Sequence, residues 1–516
     1  MNRRNGIICV LGATGYVGGR LVPTLLKQGW RIRAVGRSIE KLACRPFASD
    51  PRCEIVAADL FDTDSVRKAL DGCHAAFYLV HSMQGRGDFA AKDRQAAHNM
   101  VQAAEHAAIE RIIYLGGLIP DDPDISHHLQ SRAEVGDILA SGPVPCTRFR
   151  AGVILGSGSA SFEIVRYLVD RLPAMVTPKW VRTESQPISI RDVLFYLSES
   201  LDHPETIGEA FDIGGPHIET YERLFRIYQE EAGLKKRLIV PVPFLSPKLS
   251  SYWLGFVSPI PVALARPLVL GLKNRVVCKD TRIRHIMPCE LSDARTTIRR
   301  ALEKVKQHTV TTCWSDAGAI HTPEWIACGD APYAGGAVFE SAYRIKMEGC
   351  PDALWSKIVS IGGDNGWYCC NRLWGLRGML DRLFGGVGLR RGRRDPEQLA
   401  IGDALDFWRV IDIQPAERLL LLAEMKLPGE ALLEFTMEQS GTDNTQLTMT
   451  AKFLPRGVAG LAYWWSVYPL HALIFKGMIS ALAEQTGCTI LDGPFPVDKT
   501  APKCHIPQTH SHQGPK

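Results

Sequence analysis

The stretch Ile7 to Gly19, Ile-Ile-Cys-Val-Leu-Gly-Ala-Thr-Gly-Tyr-Val-Gly-Gly, constrains this 516-residue chain more than any other. Ile7 to Leu11 is an apolar strand. Gly12, Gly15 and Gly18 follow at three-residue spacing, and Tyr16 to Lys27 has a helical pattern. A glycine triplet by itself fits a purely structural turn. A strand before it and a helix after it are the context of a dinucleotide-binding turn. Gly12 permits the tight turn, Gly15 lets backbone approach a pyrophosphate, and Gly18 lets the helix close on the strand. The first N–H groups of that helix then face the phosphates.

The next elements extend the pattern. A second strand, Arg31 to Val35, ends in Gly36-Arg37-Ser38, where folds of this kind select the ribose. An acidic residue there would hold the 2′-hydroxyl of NAD. Arg37 and Ser38 instead offer a cationic fork and a hydroxyl, which favours the 2′-phosphate of NADP (NADPH) over NAD. Arg37 also fits a solvated arginine at a strand end. A third strand, Cys53 to Ala58, ends in Asp59-Leu60, and a fourth, Ala75 to Val80, ends in His81-Ser82-Met83. Carboxyl ends of successive parallel strands are where a doubly wound sheet binds its ligand.

Gly12-Ala13-Thr14-Gly15-Tyr16-Val17-Gly18-Gly19, the Gly36-Arg37-Ser38 turn, Asp59-Leu60 and Arg111-Ile112-Ile113-Tyr114-Leu115-Gly116-Gly117 together resemble an atypical extended short-chain dehydrogenase/reductase. The similarity is to the NmrA-like and complex-I-accessory-subunit-like branch and covers roughly residues 6 to 300. It implies that Thr14, Tyr16 and Val17 belong to the cofactor loop and that Asp59 and Leu60 contact the adenine. It also implies that Val80, His81 and Gly116 flank the nicotinamide riboside. Active members of that family use a Ser, a Tyr and a Lys, the last two in a Tyr-x-x-x-Lys helix, with tyrosine as proton donor.

This chain departs from that pattern. Gly116 stands where Ser is frequent. Aligning Ser131-Arg132-Ala133-Glu134 with the family's Ser-Lys-Ala-Glu puts Arg132 at the lysine and His128 at the tyrosine. His128 titrates near neutral pH and suits a proton donor or acceptor, and Arg132 suits ribose hydroxyls. Ser131 is the further candidate donor. Arginine is a poor substitute for lysine as a pKa tuner, since its charge never leaves. The same residues also fit an exposed helix start.

Net charge is +5, too small over 516 residues for the dense basic face that nucleic-acid binding requires. Fourteen cysteines without a C-x-x-C pair point to free thiols and a cytoplasmic setting rather than a disulfide framework. The polar Met1 to Asn5 precedes the first strand directly, and no signal peptide is read there. Trp253 to Leu272 is interrupted by prolines. Leu461 to Phe475 is about fifteen residues, short of the roughly twenty a membrane span needs. Both read as core helices, and peripheral membrane contact stays open. No histidine or cysteine set has metal-ligand spacing.

The chain divides into a doubly wound, Rossmann-type α/β domain (residues 1–306), a linker (307–334), an α+β domain (335–490) and a disordered tail (491–516). The Pro-punctuated block from Pro241 to Pro267 is read as capping a substrate cleft or docking the next domain. In the C-terminal domain Val338 to Met347, Asp406 to Ile413, Arg418 to Met425, Ala431 to Gln439 and Thr445 to Phe453 read as strands. Pro351 to Ile361 reads as a short helix and Gly457 to Ala483 as a long one. That order is a helix-grip fold of the START and polyketide-cyclase type. Gly362 to Trp367, Leu373 to Gly378, Gly385 to Gly388 and Gly402 to Trp408 resemble an uncharacterised domain that recurs behind atypical reductases.

Six of eleven tryptophans (Trp355, Trp367, Trp374, Trp408, Trp464 and Trp465) lie in this domain and line either an apolar pocket or an ordinary aromatic core. Leu389 to Asp395, with four arginines, reads as an anion-binding or a solvated loop. Three functions remain: an NADPH-dependent reductase of a hydrophobic carbonyl or quinone-like compound, a non-catalytic NADP-sensing regulator or assembly factor, and a lipid or isoprenoid carrier. Partners in keeping with these are a small hydrophobic substrate or lipid, and a second copy of the chain as a homodimer.

Overall fold

The structure is a computed structural model that describes residues 6–81, 89–121, 125–172, 174–242, 270–271, 273–306, 338–383, 386–390, 393, 395–439 and 444–497. The chain forms two compact units, Met1–Ala319 and Ile320–Lys516. Residues 307–337, which include the whole of the expected linker (307–334), and most of the Pro241 to Pro267 block lie outside the described residues.

The N-terminal unit is built on a parallel sheet. Its strands are β1 (Ile7–Leu11), β2 (Arg31–Gly36), β3 (Cys53–Ala57), β4 (Cys73–Tyr78), β5 (Arg111–Gly117), β6 (Cys146–Ala151) and β7 (Ala210–Ile213). The order is β7-β6-β5-β4-β1-β2-β3, every pair parallel. Buried on both faces, such strands read as continuous apolar runs. In β1 the alternation separates two cores: Ile8 and Val10 pack in one, Cys9 and Leu11 in the other. The helices that bear on the site are α1 (Gly18–Lys27), α2 (Ile39–Ala43), α3 (Thr63–Leu70), α4 (Phe89–His106) and α5 (His127–Ala140). Strand order runs outward from β1 through β2 and β3, then restarts on β1's other side with β4. This topological switch point is where such sheets bind ligands.

The C-terminal unit is antiparallel. β8 (Phe339–Glu348) is followed by α6 (Pro351–Val359), α7 (Asn371–Leu383), β9 (Ala404–Leu405), β10 (Trp408–Gln414), β11 (Arg418–Ala423), β12 (Gly429–Gln439), β13 (Asn444–Pro455), α8 (Gly457–Glu484) and β14 (Ile490–Pro496). The sheet order is β9-β10-β11-β12-β13-β8-β14. Met478, Ile479 and Leu482 of α8 join Ile345, Leu433 and Leu447 of the sheet in one buried core.

Several expectations need correction. The segment from Ile490 to Pro496 is not tail. It pairs with β8, Tyr343 opposite Pro496, and gives β8 a hydrogen-bonded neighbour. Residues 498–516 lie outside the described residues. Helix α7 escapes its sequence pattern because Gly375 and Gly378 interrupt it; a Cβ on Gly378 would meet Leu389 Cγ at 2.8 Å, so the glycine serves close packing. Cys350 and Cys488 form a disulfide, whereas nine other described cysteines are free thiols.

Helix α8 runs through Pro469 and past the exposed Lys476 for 28 residues, about 42 Å at the α-helical rise. This matches the long helix expected from the sequence. An 18-residue stretch of it, with mean hydropathy 1.3, is long and apolar enough to cross a membrane, whereas the apolar run read from the sequence is about fifteen residues. Arg391 and Arg394 lie outside the described residues. Arg393 is no free anion ligand, because its guanidinium donates to the carbonyls of Ile361 (2.6 Å) and Val359 (2.7 Å) near the end of α6.

Candidate functional site: a glycine cradle beside a buried His-His-Asp chain

The glycine loop joins β1 to α1 at the switch point. Gly12 has φ +88°, a conformation that favours glycine, and a Cβ there would sit 2.9 Å from the Leu79 carbonyl and 3.3 Å from Val80. The amides of Gly12 and Ala13 donate to Val35 O, and that of Gly15 donates to Gly12 O, which fixes the turn. A Cβ on Gly18 would lie 2.3 Å from Gly12 O, so this glycine is what lets α1 close on the loop. Gly15 is different: its Cβ would meet only Gly12 O, at 3.2 Å, with open space otherwise. Helix α1 begins after Val17 without a side-chain cap, and the amides of Gly19 and Arg20 are donated back to the carbonyls of Gly15 and Val17. The loop residues Thr14, Tyr16 and Val17 frame a cradle suited to a pyrophosphate.

At the end of β2, Arg37 is exposed. Ser38 is not the free hydroxyl expected from the sequence. Its Oγ caps α2 by accepting from the Lys41 amide at 3.2 Å, and its only O–H is donated to Glu40 at 2.7 Å. A cation that the sequence reading missed stands close by: Arg45 donates to Thr14 O at 3.1 Å, bringing a second guanidinium to the loop. No local sequence signal marks it, because the turn after α2 carries it there.

After β3, the Asp59 carboxylate accepts from the Phe61 amide at 3.1 Å, and Leu60 is buried with its carbonyl held by Asn99 at 2.7 Å. Gly116 lies within β5, paired with Arg150. A Cβ there would come 3.0 Å from the Tyr114 ring, so the tyrosine takes the space that a serine would need. The Tyr114 hydroxyl donates to Arg132 O at 3.0 Å, and burial pushes its pKa up to about 12.

Three side chains from three elements converge beside the loop. Ser126 caps α5, its Oγ accepting from the Leu129 amide at 3.4 Å, and this first turn presents His128 inward. His128 Nδ1 lies 3.2 Å from His81 Nε2, and His81 Nδ1 lies 2.7 Å from Asp93 Oδ2. Asp93 comes from α4 and is 3% exposed; His128 is 8% exposed. Burial is the first cause that lowers both imidazole pKa values. For His128 the neighbouring His81 and Arg132 push the same way, while the Asp93 carboxylate partly opposes the shift at His81. His128 is therefore neutral at neutral pH, a correction to the expectation that it titrates there.

Ser131 is not a donor facing substrate. It is buried and donates to Asp93 at 3.3 Å, so it positions the carboxylate. Arg132 donates to Leu115 O at 2.7 Å at the end of β5, and its Nε is buried without an acceptor among the described residues. An orphaned donor beside Gly117 suits a ribose hydroxyl. Asp93 was missed by the sequence reading although a signal existed. It shares an apolar helical stripe with Ala96, Ala97, Met100 and Ala104, where an unexplained carboxylate stands out.

Residues 12–141 match a family model described as NAD(P)H-binding, and residues 333–478 match one described as a protein of unknown function (DUF2867). The chain is 24% identical over 172 residues to a ceramide reductase of Caulobacter vibrioides, which covers 33% of this chain and 53% of that protein. It is 23% identical over 287 residues to the mitochondrial NADH dehydrogenase (ubiquinone) 1 alpha subcomplex subunit 9 of Arabidopsis thaliana, covering 52% and 68%. The chain spans about half the length of the Caulobacter relative and 36% and 23% of two other curated relatives. Among solved structures, Citrobacter sp. triphenylmethane reductase complexed with NADP(H) aligns over 57% of this chain and 99% of its own, at 19% identity and TM-score 0.47. The N-terminal unit is thus a doubly wound, Rossmann-type parallel sheet whose residues 12–141 match an NAD(P)H-binding family, and a stretch matching DUF2867 follows it.

Proposed function

We propose that the N-terminal unit is an NADPH-dependent reductase of a hydrophobic carbonyl or quinone-like compound. The Asp93–His81–His128 chain beside the glycine cradle carries this reading. With both imidazoles neutral, His81 Nδ1–H is donated to Asp93, so His81 Nε2 accepts from His128 Nδ1–H. His128 Nε2 is then a lone pair. One further proton on the pair, balanced by the Asp93 carboxylate, reverses the middle bond: His81 Nε2–H donates to His128 Nδ1, and His128 Nε2 carries an N–H. In that form His128 passes its Nε2 proton to a carbonyl oxygen while His81 refills Nδ1, and the pair ends neutral. Bound NADPH supplies the hydride that completes the reduction.

The loop between Gly12 and Gly18, with the open space beside Gly15, would hold the pyrophosphate. Arg37 and Arg45 would favour the 2′-phosphate, and Arg132 would hold the ribose. The name of the Caulobacter relative, a ceramide reductase, supports a lipid-like substrate.

Asp93→Asn tests the relay, because it removes the counter-charge and leaves the cradle intact. NADPH oxidation should fall at least about tenfold with NADPH affinity unchanged; an unaltered rate rejects the relay. A second reading, an NADP-sensing regulator or assembly factor without catalysis, is favoured by Gly116 and by the tyrosine position being His128. Bound NADP with no NADPH oxidation across a carbonyl and quinone panel would select it. In the C-terminal unit, the long helix packed on an antiparallel sheet supports a helix-grip, START-like assignment. The exposed Leu461, Trp465 and Leu473 of α8 support peripheral contact with a lipid surface.

A further inference from the structure

The C-terminal unit holds a cavity of about 630 Å3 between α7, α8 and the sheet. That is within the range of small-molecule sites, which are mostly apolar with a few placed polar groups. Its wall includes Trp374, Trp408, Phe453, Trp464, His471 and Phe475. Leu376, Leu380 and Leu470 also line it and are exposed, so its mouth is apolar.

Three polar atoms in this wall are buried with no hydrogen-bond partner among the described residues: Nε1 of Trp374, Nε1 of Trp408 and Nδ1 of His471. Buried polar groups are ordinarily paired. The adjoining Trp367 shows the ordinary case, its Nε1 donating to Asp406 Oδ2 at 2.9 Å. Trp367, Trp374, Phe407 and Trp408 form one ring cluster, with Trp367 and Trp374 centroids 5.3 Å apart. Within it the indole turned to Asp406 is satisfied, and the two lining the cavity are not. Indole N–H is a donor only, so what it lacks is an acceptor. His471 stacks on Phe475 with centroids 4.8 Å apart, and burial holds its pKa at about 4, so it brings no charge.

We propose that this cavity binds a long apolar molecule bearing an acceptor oxygen, a long-chain ketone, aldehyde or quinone, which takes hydrogen bonds from Trp374 and Trp408. Arg377, Lys426 and Lys452 also stand in the wall, Lys452 paired with Glu434 at 3.1 Å, and two orphaned donors disfavour a plain hydrocarbon. The identity of the oxygen as a carbonyl rests on the reductase reading; the cavity itself requires no catalysis in the other unit.

The test uses the full chain and two probes, pentadecan-2-one and pentadecane, each presented in cyclodextrin and followed by tryptophan fluorescence. The ketone should bind saturably and more tightly than the alkane. Trp408→Phe keeps an aromatic ring and removes the N–H; it should weaken ketone binding about three- to tenfold and leave the alkane unchanged. Trp374→Phe should act likewise, which guards against one variant that fails to fold. Equal affinity for the two probes overturns the proposal. So does a lack of saturable binding, or a dimer that Leu380→Asp dissociates, which would make the cavity a contact between copies. Ketone binding without NADPH oxidation counts against the reductase reading alone, whereas NADPH oxidation without preference for the ketone counts against the cavity alone.

Discussion

Gly15 and Gly18 belong to one motif, yet a methyl group added at each would meet different things. Gly15→Ala places Cβ 3.2 Å from a single carbonyl, which a small shift relieves, and intrudes on space for a pyrophosphate. It should leave the melting temperature nearly unchanged and weaken NADPH binding about tenfold or more. Gly18→Ala drives Cβ to 2.3 Å from backbone and should destabilise the N-terminal unit by about 1–3 kcal/mol or more. Calorimetry and cofactor titration of both variants check this, and equal effects on stability would refute the division of roles. The ribose turn divides in the same way. Arg37→Ala should remove much of the preference for NADPH over NADH, since charge-assisted hydrogen bonds are worth about 1.5–3 kcal/mol. Ser38→Ala should cost about 1 kcal/mol as a lost cap and leave that preference intact. A selectivity change in Ser38→Ala, as large as in Arg37→Ala, would restore the hydroxyl to the 2′-phosphate.

The proton chain is a property of elements rather than of a motif: α4 brings Asp93, the end of β4 leads to His81, and the capped start of α5 brings His128. Because burial lowers both imidazole pKa values, the unfolded chain takes up protons near pH 6.5 that the folded unit refuses. Stability should therefore fall as pH drops below about 6.5, with the sign set by more protons bound in the unfolded state. Thermal melts from pH 7.5 to 5.5 should show a shallower acid loss in His128→Phe than in the parent, and parallel slopes would contradict the burial argument. The sequence made β1, the glycine turn and the parallel strands legible because apolar runs and glycine spacing are local signals. His128 and Arg132 were located through the Ser-Arg-Ala-Glu stretch. The pairing of His128 with His81 and Asp93 was not legible, because it joins residues 47 and 12 positions apart through tertiary packing. Helix α7 and strand β14 were missed for related reasons. Gly378 served packing in the first, and sheet pairing imposed structure on a Pro-containing segment in the second.

For the whole molecule, one unit carries the cofactor cradle and the other an aromatic-walled cavity, each on its own buried core. On the proposed function, the N-terminal unit does redox chemistry with His128 as the terminal proton donor. The most direct test is NADPH oxidation at saturating NADPH across a carbonyl and quinone panel, followed against pH in the parent and in His128→Phe. NADPH oxidation should keep rising as pH falls from neutral into the acid range, because burial holds both imidazoles below their ordinary pKa and acid loads the pair. His128→Phe should lose about 10²–10⁴-fold in rate with NADPH affinity unchanged. Full activity in His128→Phe, or NADPH bound but never oxidised by any member of the panel, would contradict the proposed function.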